Sequence, residues 1–288
     1  MGGEEERMPE LPDLEVIKEF LEPRLVGQTI AEAEELRPLI VRDLTGEGLA
    51  AGVAGRSISA VWRRGKFLIV DLGPRRLVLN PMLAGRLHYA AGGKRRPGTP
   101  AGRHRPGYAA AVLRLADGQE VWYTDAKQMG KLYLTDDLDQ VPVLMELGPD
   151  ALDPELTAER FAERIRPYRG EIKGVLTRQP FVAGIGNAYS DEICWRARIY
   201  PFRKRTALSA AEIEQVYAAM RAVLIEAIEV LRRRVGEEIQ VEIRDFLAVH
   251  GKGGQPCPRC GTRISQLKGQ DYYANFCRGC QPGTLIRE

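Results

Sequence analysis

Four of the five cysteines stand in two pairs with the spacing of a metal site. Two residues separate Cys257 from Cys260 and Cys277 from Cys280, and sixteen residues lie between the pairs. Each pair suits a tight turn, and four thiolates complete the tetrahedron that zinc prefers. Two disulfides are the alternative, which a reducing compartment disfavours. We expect one structural zinc ion, which adds folding free energy and leaves no open position for catalysis.

The sequence contains little evidence for other common catalytic motifs. Only three histidines occur, without a nucleophile-elbow or His-x-Glu motif, so a serine triad and a zinc deaminase are disfavoured. Cys194 lies in an apolar-periodic segment and is expected to be a buried core thiol. The run Gly184-Ile185-Gly186-Asn187 lacks the third glycine of a dinucleotide fingerprint. It fits a turn before a helix, where backbone N–H groups and the Asn187 amide could meet an anion such as DNA phosphate.

Several kinds of segment must position these groups. Apolar residues recur at helical spacing over residues 12–25, which predicts a short amphipathic helix. Short β-rich runs with Gly, Pro and Asp turns fill residues 29–134 and indicate a sandwich or barrel, with 91–107 as a basic loop. The pattern is helical over 154–235. Residues 251–288 are too few for a core of their own and need the metal.

Composition sets the broad class. The 288 residues are 44% hydrophobic and 28% charged, which suits about two domains plus a small module. No apolar run approaches the roughly 20 residues that span a bilayer. The chain starts with acidic residues, unlike a secretory signal, and we expect a cytoplasmic protein with no membrane partner. A net charge of +3 permits a polyanionic partner without requiring one.

One ordered set of motifs decides among these possibilities. Its members are the N-terminal run Met8-Pro9-Glu10-Leu11-Pro12-Asp13-Leu14-Glu15, Lys66 in Arg63-Arg64-Gly65-Lys66, the Ile172-Lys173 pair, residues 184–192 and the four paired cysteines. Each motif alone is weak or moderate, but the set in this order is specific. From Met8 to about Gln281 the chain resembles the formamidopyrimidine-DNA glycosylase and endonuclease VIII family.

The resemblance implies an α+β protein. Its parts would be an N-terminal β-sandwich with a flanking helix over residues 9–135, a helical helix-two-turns-helix domain over 150–235 and a C-terminal zinc-finger hairpin over 251–288. Residues 1–8 would be an extension. DNA would lie in the cleft between these parts.

The implied activity is base-excision repair of double-stranded DNA. A monomeric, bacterial-type enzyme associated with the nucleoid would remove formamidopyrimidines, 8-oxoguanine or oxidised pyrimidines and then cleave the abasic site by elimination. A catalytically silent protein of the same fold that binds damaged DNA is the alternative.

The resemblance also assigns roles to residues. A free Pro9 would be a secondary amine able to attack C1′ and form a Schiff base, and the nearby helix dipole would favour its uncharged form. Glu10 would shuttle protons at the deoxyribose. Lys66 would contact the backbone and assist at the lesion, while Lys173 and Asn187 would grip DNA.

Departures from the family pattern bear on the substrate. Where the family commonly has Arg-Arg-Phe, this chain has Lys127-Gln128-Met129, so Met129, like Met82, is expected to fill the gap that a flipped base leaves. Tyr272 stands where a phosphate-gripping arginine is usual. Residues 237–251 form a short stretch where 8-oxoguanine enzymes carry their lesion-covering loop. These differences favour formamidopyrimidines or oxidised pyrimidines over 8-oxoguanine.

Seven residues precede Met8, and while they remain attached the nitrogen of Pro9 is an amide that cannot act as a nucleophile. Residues 2–6, Gly-Gly-Glu-Glu-Glu, can be encoded by a purine run that looks like a bacterial ribosome-binding site. We therefore expect translation to begin at Met8, with removal of the methionine exposing Pro9.

Overall fold

The computed structural model describes residues 8–90, 109–268 and 273–283. The chain divides into two compact units, the first made of Met1–Met145 with Leu231–Glu242 and the second of Glu146–Val230 with Ile243–Glu288. The basic loop expected at 91–107, residues 1–7 of the extension and the Tyr272 position fall outside the described residues. Within those residues, no helix is both long and apolar enough to span a bilayer.

The first unit is a β-sandwich with a helix at its start. Its elements are α1 (Leu11–Leu25), β1 (Ile30–Glu35), β2 (Val41–Asp43), α2 (Leu49–Val53), β3 (Ala60–Arg64), β4 (Phe67–Asp71), β5 (Arg76–Asn80), β6 (Gly85–Ala90), β7 (Ala109–Leu115), β8 (Glu120–Asp125) and β9 (Lys131–Thr135). One sheet has the order β1-β7-β8-β6, and the other has the order β2-β9-β5-β4-β3. All pairings are antiparallel except the one between β2 and β9.

A single apolar cluster joins the two sheets and α1. It contains Leu21 of α1, Leu68 and Leu77 of the five-stranded sheet, and Leu87 and Ala111 of the four-stranded sheet. The central strands β4 and β5 are runs of Val, Ile, Leu and Phe, residues that pack well on a pleated surface buried on both sides. The predicted sandwich with its flanking helix is confirmed.

Helix α1 begins where the sequence predicts. The Asp13 carboxylate accepts a hydrogen bond from the Glu10 backbone N–H at 2.8 Å, which satisfies one of the free donors of the first turn. Pro12 lies in this first turn, where a missing N–H costs nothing. Leu14 and Leu21 then face the core. The start of the chain's first helix is therefore fixed by local chemistry and by burial together.

The second unit is helical and ends in a hairpin. Its elements are α3 (Ala158–Ile165), α4 (Ile172–Leu176), α5 (Asn187–Arg196), α6 (Ala210–Arg234, whose last turn is counted with the first unit), β10 (Ile264–Lys268) and β11 (Tyr273–Cys277). Phe161 packs against Phe181 and Tyr217 with ring centroids 5.1 and 5.5 Å apart. Strands β10 and β11 pair antiparallel. Cys194 is buried as expected, and burial raises the pKa of its thiol to about 12.

Candidate functional site

The predicted catalytic group begins at the N-terminus of α1. Pro9 and Glu10 are both buried, and the Glu10 side chain has only 3% of its surface exposed. Glu10 is the N-cap residue of α1. Its carboxyl therefore lies beside the positive end of the helix.

Lys66 lies in the tight turn between β3 and β4. Arg64 pairs with Phe67, so Gly65 and Lys66 form a two-residue hairpin turn. Gly65 has φ +56°, which fits a turn that requires glycine at its first central position. The Lys66 Nζ lies 3.6 Å from the Sδ of Met8, the residue that precedes Pro9. The structure thus brings Lys66 to the start of α1, next to Pro9 and Glu10.

Met82 occupies a strained turn between β5 and β6. Its φ of +50° is in the left-handed region, which costs a non-glycine residue about 1 kcal/mol or more. The Asn80 side chain supports the turn by accepting a hydrogen bond from the Met82 N–H at 3.2 Å. Strain of this kind persists only where the surroundings hold it, as they often do at a functional site.

A second loop, residues 125–130, is organised by one buried carboxylate. Asp125 is 1% exposed and accepts hydrogen bonds from the backbone N–H groups of Lys127, Gln128 and Gly130 at 3.0, 2.9 and 2.6 Å. Lys127 is exposed, and Met129 has 40% of its surface exposed. The sequence analysis gave Asp125 no role, although an aspartate that bonds N–H groups two and three residues on is a familiar turn signal.

The two methionine loops, which are the β5–β6 turn that carries Met82 and the 125–130 loop that carries Met129, meet at the Tyr123 hydroxyl. A Cβ atom added to Gly85 or to Gly130 would overlap this oxygen. Gly85 also pairs with Asp125, and Asn80 with Lys131, so the strand register holds the loops side by side. The first unit therefore presents Met82, Lys127 and Met129 from neighbouring loops.

Lys173 is placed differently from expectation. It is fully buried, and its ammonium donates to the Asn187 carbonyl at 2.8 Å, the Ser190 hydroxyl at 2.9 Å and the Asp191 carboxylate at 2.7 Å. An ammonium group has three protons to donate. Because its head has no exposed surface, the structure contradicts a direct grip of Lys173 on DNA. Lys173 instead holds the first turn of α5.

The glycine turn before α5 is held by hydrogen bonds with Lys173 of α4 and with Gln179, in the segment that follows α4. Gln179 accepts a hydrogen bond from the Gly184 N–H at 2.9 Å and donates to the Ile185 carbonyl at 2.8 Å. Gly184 has φ +104°. Asn187 opens α5, and its Oδ1 is buried without a hydrogen-bond partner in the described structure. The predicted helix start is present, and Asn187 is its first residue.

Two adjacent acids of α5 tie the second unit together. Asp191 is fully buried and bonds His250 at 2.8 Å and the Asn275 amide of β11 at 3.0 Å, besides Lys173. Glu192 accepts the N–H groups of Ala248, Val249 and His250, all within 2.9 Å. Burial raises the pKa of Glu192, against the lowering effect of these hydrogen bonds. Both acids lie within the 184–192 motif, and the motif itself did not indicate these roles.

The four paired cysteines form one cluster. Their Sγ atoms all lie within 4.8 Å of one another, with Cys257 to Cys280 at 3.8 Å and Cys260 to Cys277 at 3.4 Å. Zinc–sulfur bonds of about 2.3 Å in a tetrahedron separate neighbouring sulfurs by about 3.8 Å. The Trp195 indole N–H points at the Cys257 sulfur from 3.4 Å. The cluster can therefore hold a metal ion.

The fold and site define a class of α+β protein with an N-terminal β-sandwich and a helical unit that ends in a four-cysteine hairpin. The formamidopyrimidine-DNA glycosylase N-terminal domain model matches residues 8–132, and the H2TH domain model of the same glycosylase matches residues 147–237. The chain belongs to the formamidopyrimidine-DNA glycosylase family, as the resemblance predicted.

Individual relatives agree along nearly the whole chain. The formamidopyrimidine-DNA glycosylase of Symbiobacterium thermophilum is 37% identical over 96% of this chain and 90% of its own length. The formamidopyrimidine-DNA glycosylase of Pelotomaculum thermopropionicum is 34% identical over 95% of this chain and 99% of its own length. The crystal structure of Lactococcus lactis Fpg with abasic-site DNA has a TM-score of 0.83 at 30% identity, covering 95% of this chain and 100% of that one.

Proposed function

We propose that this protein is a bifunctional DNA glycosylase and abasic-site lyase of base-excision repair that uses Pro9 as its nucleophile. Family membership supplies the glycosylase activity. The observation that carries the finer assignment is the placement of Lys66 within 3.6 Å of Met8, at a helix start that also holds buried Glu10. A secondary amine, a carboxyl and an ammonium are the groups that this chemistry needs.

The reaction can be written from these groups. The Pro9 nitrogen attacks C1′, the bond from C1′ to the base breaks, and the base leaves with a proton. The Pro9 nitrogen loses its proton, Glu10 protonates O4′, and the C1′–O4′ bond breaks, which opens the sugar ring and leaves an iminium between Pro9 and C1′. This iminium acidifies the C2′ hydrogen, and loss of that proton expels the 3′ phosphate by elimination. Glu10 moves protons at the deoxyribose, and Lys66 neutralises the neighbouring phosphate. The helix dipole disfavours an ammonium at Pro9 and keeps its lone pair available.

DNA would be bound by both units. Met82 and Met129 fill the space that the flipped nucleotide leaves, and exposed Lys127 meets a phosphate. Asn187, at the start of α5, would contact the DNA backbone from the second unit. The four-cysteine hairpin holds one zinc ion, whose contribution is to fold the hairpin. Tyr272, which stands in the sequence where a phosphate-gripping arginine is usual, lies outside the described residues.

The substrate we favour is a formamidopyrimidine or an oxidised pyrimidine. Helix α6 ends at Arg234, and Glu192 already anchors Ala248, which leaves only residues 235–247 to reach over a lesion. A solved relative, Lactococcus lactis Fpg, was crystallised with Fapy-dG-containing DNA and is 29% identical to this chain. A short connection favours lesions that need no enclosing loop.

Borohydride trapping on an abasic duplex tests the proposal. Protein that begins at Pro9 is compared with protein that keeps Met1 to Met8, and the covalent complex is resolved on a denaturing gel. Trapping by the Pro9 form alone supports the amine as nucleophile. Trapping by both forms would assign the nucleophile to a lysine such as Lys66. Trapping by neither would leave the damage-binding alternative, which the comparisons do not favour.

A further inference from the structure

Arg63 and Glu15 connect α1 to the turn that carries Lys66. The Arg63 Nε donates to the Glu15 carboxylate at 2.7 Å, and Nη1 of the same guanidinium donates to the Gly65 carbonyl at 2.9 Å. The Arg63 side chain is only 7% exposed and that of Glu15 is 19% exposed. One side chain therefore joins the second turn of the helix to the residue immediately before Lys66.

This connection constrains the two parts of the proposed active site relative to each other. Glu15 lies on the helix whose start carries Glu10, while Gly65 and Lys66 form the tip of the β3–β4 hairpin. A two-residue turn can tilt when only its strand ends hold it. The bond from Arg63 to the Gly65 carbonyl fixes the peptide that leads into Lys66, and Glu15 fixes Arg63.

Arginine has a geometry suited to this task. Its planar guanidinium presents donors in two directions, so a carboxylate and a carbonyl can be bound at once, whereas lysine offers a single point charge. Burial alone raises the pKa of Glu15, but the hydrogen bonds and charges of Arg63 and Lys18 lower it below its ordinary value. Glu15 is thus held as a carboxylate at neutral pH.

We infer that Arg63, held by Glu15, is a positioning residue that sets the place of the Lys66 ammonium beside Pro9 and Glu10. The inference rests on the proposed function, because Lys66 must take part in the reaction for its position to matter. Neither Arg63 nor Glu15 contacts the DNA in this role. They act through Lys66.

A double-substitution cycle tests this dependence. Single-turnover rates of abasic-site trapping are measured on protein that begins at Pro9, for Arg63→Lys, Lys66→Met and the combination. We expect Arg63→Lys alone to slow trapping at least about 10-fold, since a misplacement of about 1 Å can cost up to 100-fold. In the Lys66→Met background the same change should cost less than about 2-fold. An equal loss in both backgrounds, or no loss in either, overturns the inference.

Two further variants test the partner of Arg63 and supply a control. Glu15→Gln keeps an oxygen acceptor for Arg63 and should lose less activity than Arg63→Lys. Arg76→Lys is the matched control, because Arg76 pairs with Asp71 at 3.2 Å at the end of the same sheet away from Lys66. It should trap at the unsubstituted rate.

If trapping by the Lys66→Met protein is too slow to measure, hydrogen exchange tests the inference without relying on activity. Hydrogen exchange by mass spectrometry should rise in the peptide over residues 64–67 of Arg63→Lys and stay unchanged over residues 76–80. Unchanged exchange at 64–67 overturns the inference. If the unsubstituted protein forms no covalent complex with abasic DNA, the proposed function is wrong. If it forms the complex but Arg63→Lys costs the same factor in both backgrounds, only the positioning role is wrong.

Discussion

The ammonium of Lys173 and the carboxylate of Asp191 form an ion pair at 2.7 Å in which neither side chain has any exposed surface. Desolvation of two charges is costly, and the pair is supported by further hydrogen bonds: the Ser190 hydroxyl accepts from Lys173, and His250 and Asn275 bond the Asp191 carboxylate. The same ammonium binds the Asn187 carbonyl. The residue expected to meet DNA is therefore part of the framework that shapes the Asn187 turn.

Lys173→Met should destabilise the fold without changing the count of phosphate contacts. Removing one partner leaves Asp191 charged and buried, which costs about 3–5 kcal/mol of unfolding free energy. Denaturant titration measures this loss. The slope of log affinity against log salt should stay unchanged in protein that remains folded.

Lys127→Met is the matched control for that experiment. Lys127 is exposed at the tip of the 125–130 loop, so its loss should leave stability unchanged and reduce the salt slope by about 1. A reduced slope for Lys173→Met instead would restore the direct contact that the buried geometry excludes.

Met129→Ala should weaken binding to an abasic duplex by about fivefold. Fully burying a methionine side chain is worth about 1.5–3 kcal/mol, so burying in the DNA gap the 40% that is exposed in the free protein is worth about 1 kcal/mol. Fluorescence anisotropy measures the change. The melting temperature should stay constant, because little of the fold rests on an exposed side chain. Equal affinity for both proteins would remove Met129 from the interface.

The Glu15–Arg63 pair should make stability depend on pH. The pKa of Glu15 is lowered from its ordinary value of 4.5, so the pair stabilises the folded state above that value and is lost as pH falls through the lowered folded pKa. The stability deficit of Glu15→Gln should be full at pH 7 and shrink below pH 4.5. Urea titrations across this range measure it, and a deficit independent of pH would contradict the assignment.

Metal removal should affect DNA binding through β11. Asn275 lies two residues before Cys277 and bonds Asp191 at 3.0 Å, so loosening the hairpin withdraws a partner from the buried acid. Chelation should release one zinc per chain, measured with a colorimetric chelator, and abolish binding to abasic DNA. Retained binding by metal-free protein would show that the hairpin is dispensable.

The sequence predicted the parts of this protein that depend on local pattern. Cysteine spacing predicted the cluster, the Pro12 to Leu25 periodicity predicted α1, and the glycine run predicted the start of α5. These succeed because caps, turns and thiolate pairs are formed by residues close in sequence. The proximity of Lys66 to Met8 spans 58 positions and came only through the family resemblance.

What the sequence could not predict is the direction in which polar side chains point. Helix α4 has five residues, too few for a periodicity that would distinguish an inward lysine from an outward one, so Lys173 was misplaced. Glu192 was missed for a related reason, because its partners are backbone N–H groups of residues 248–250, which are distant in sequence and leave no trace in residue type. Asp125 differs, since its turn is local and an aspartate at that position was a usable signal.

The crowding around the Tyr123 hydroxyl restricts how the two methionine loops can change. At Gly130 even an alanine would collide with that oxygen, while Tyr123→Phe removes the oxygen and leaves the Asn80 carbonyl and the Asp125 carboxylate, both 3.0 Å from the added Cβ, as the next contacts. The order of changes therefore matters: Phe at 123 first opens a path to alanine at 130, and the reverse order passes through a disrupted protein. The Met82 loop and the 125–130 loop can diversify at their tips, but their bases are constrained by the strand register and by close packing around the Tyr123 hydroxyl.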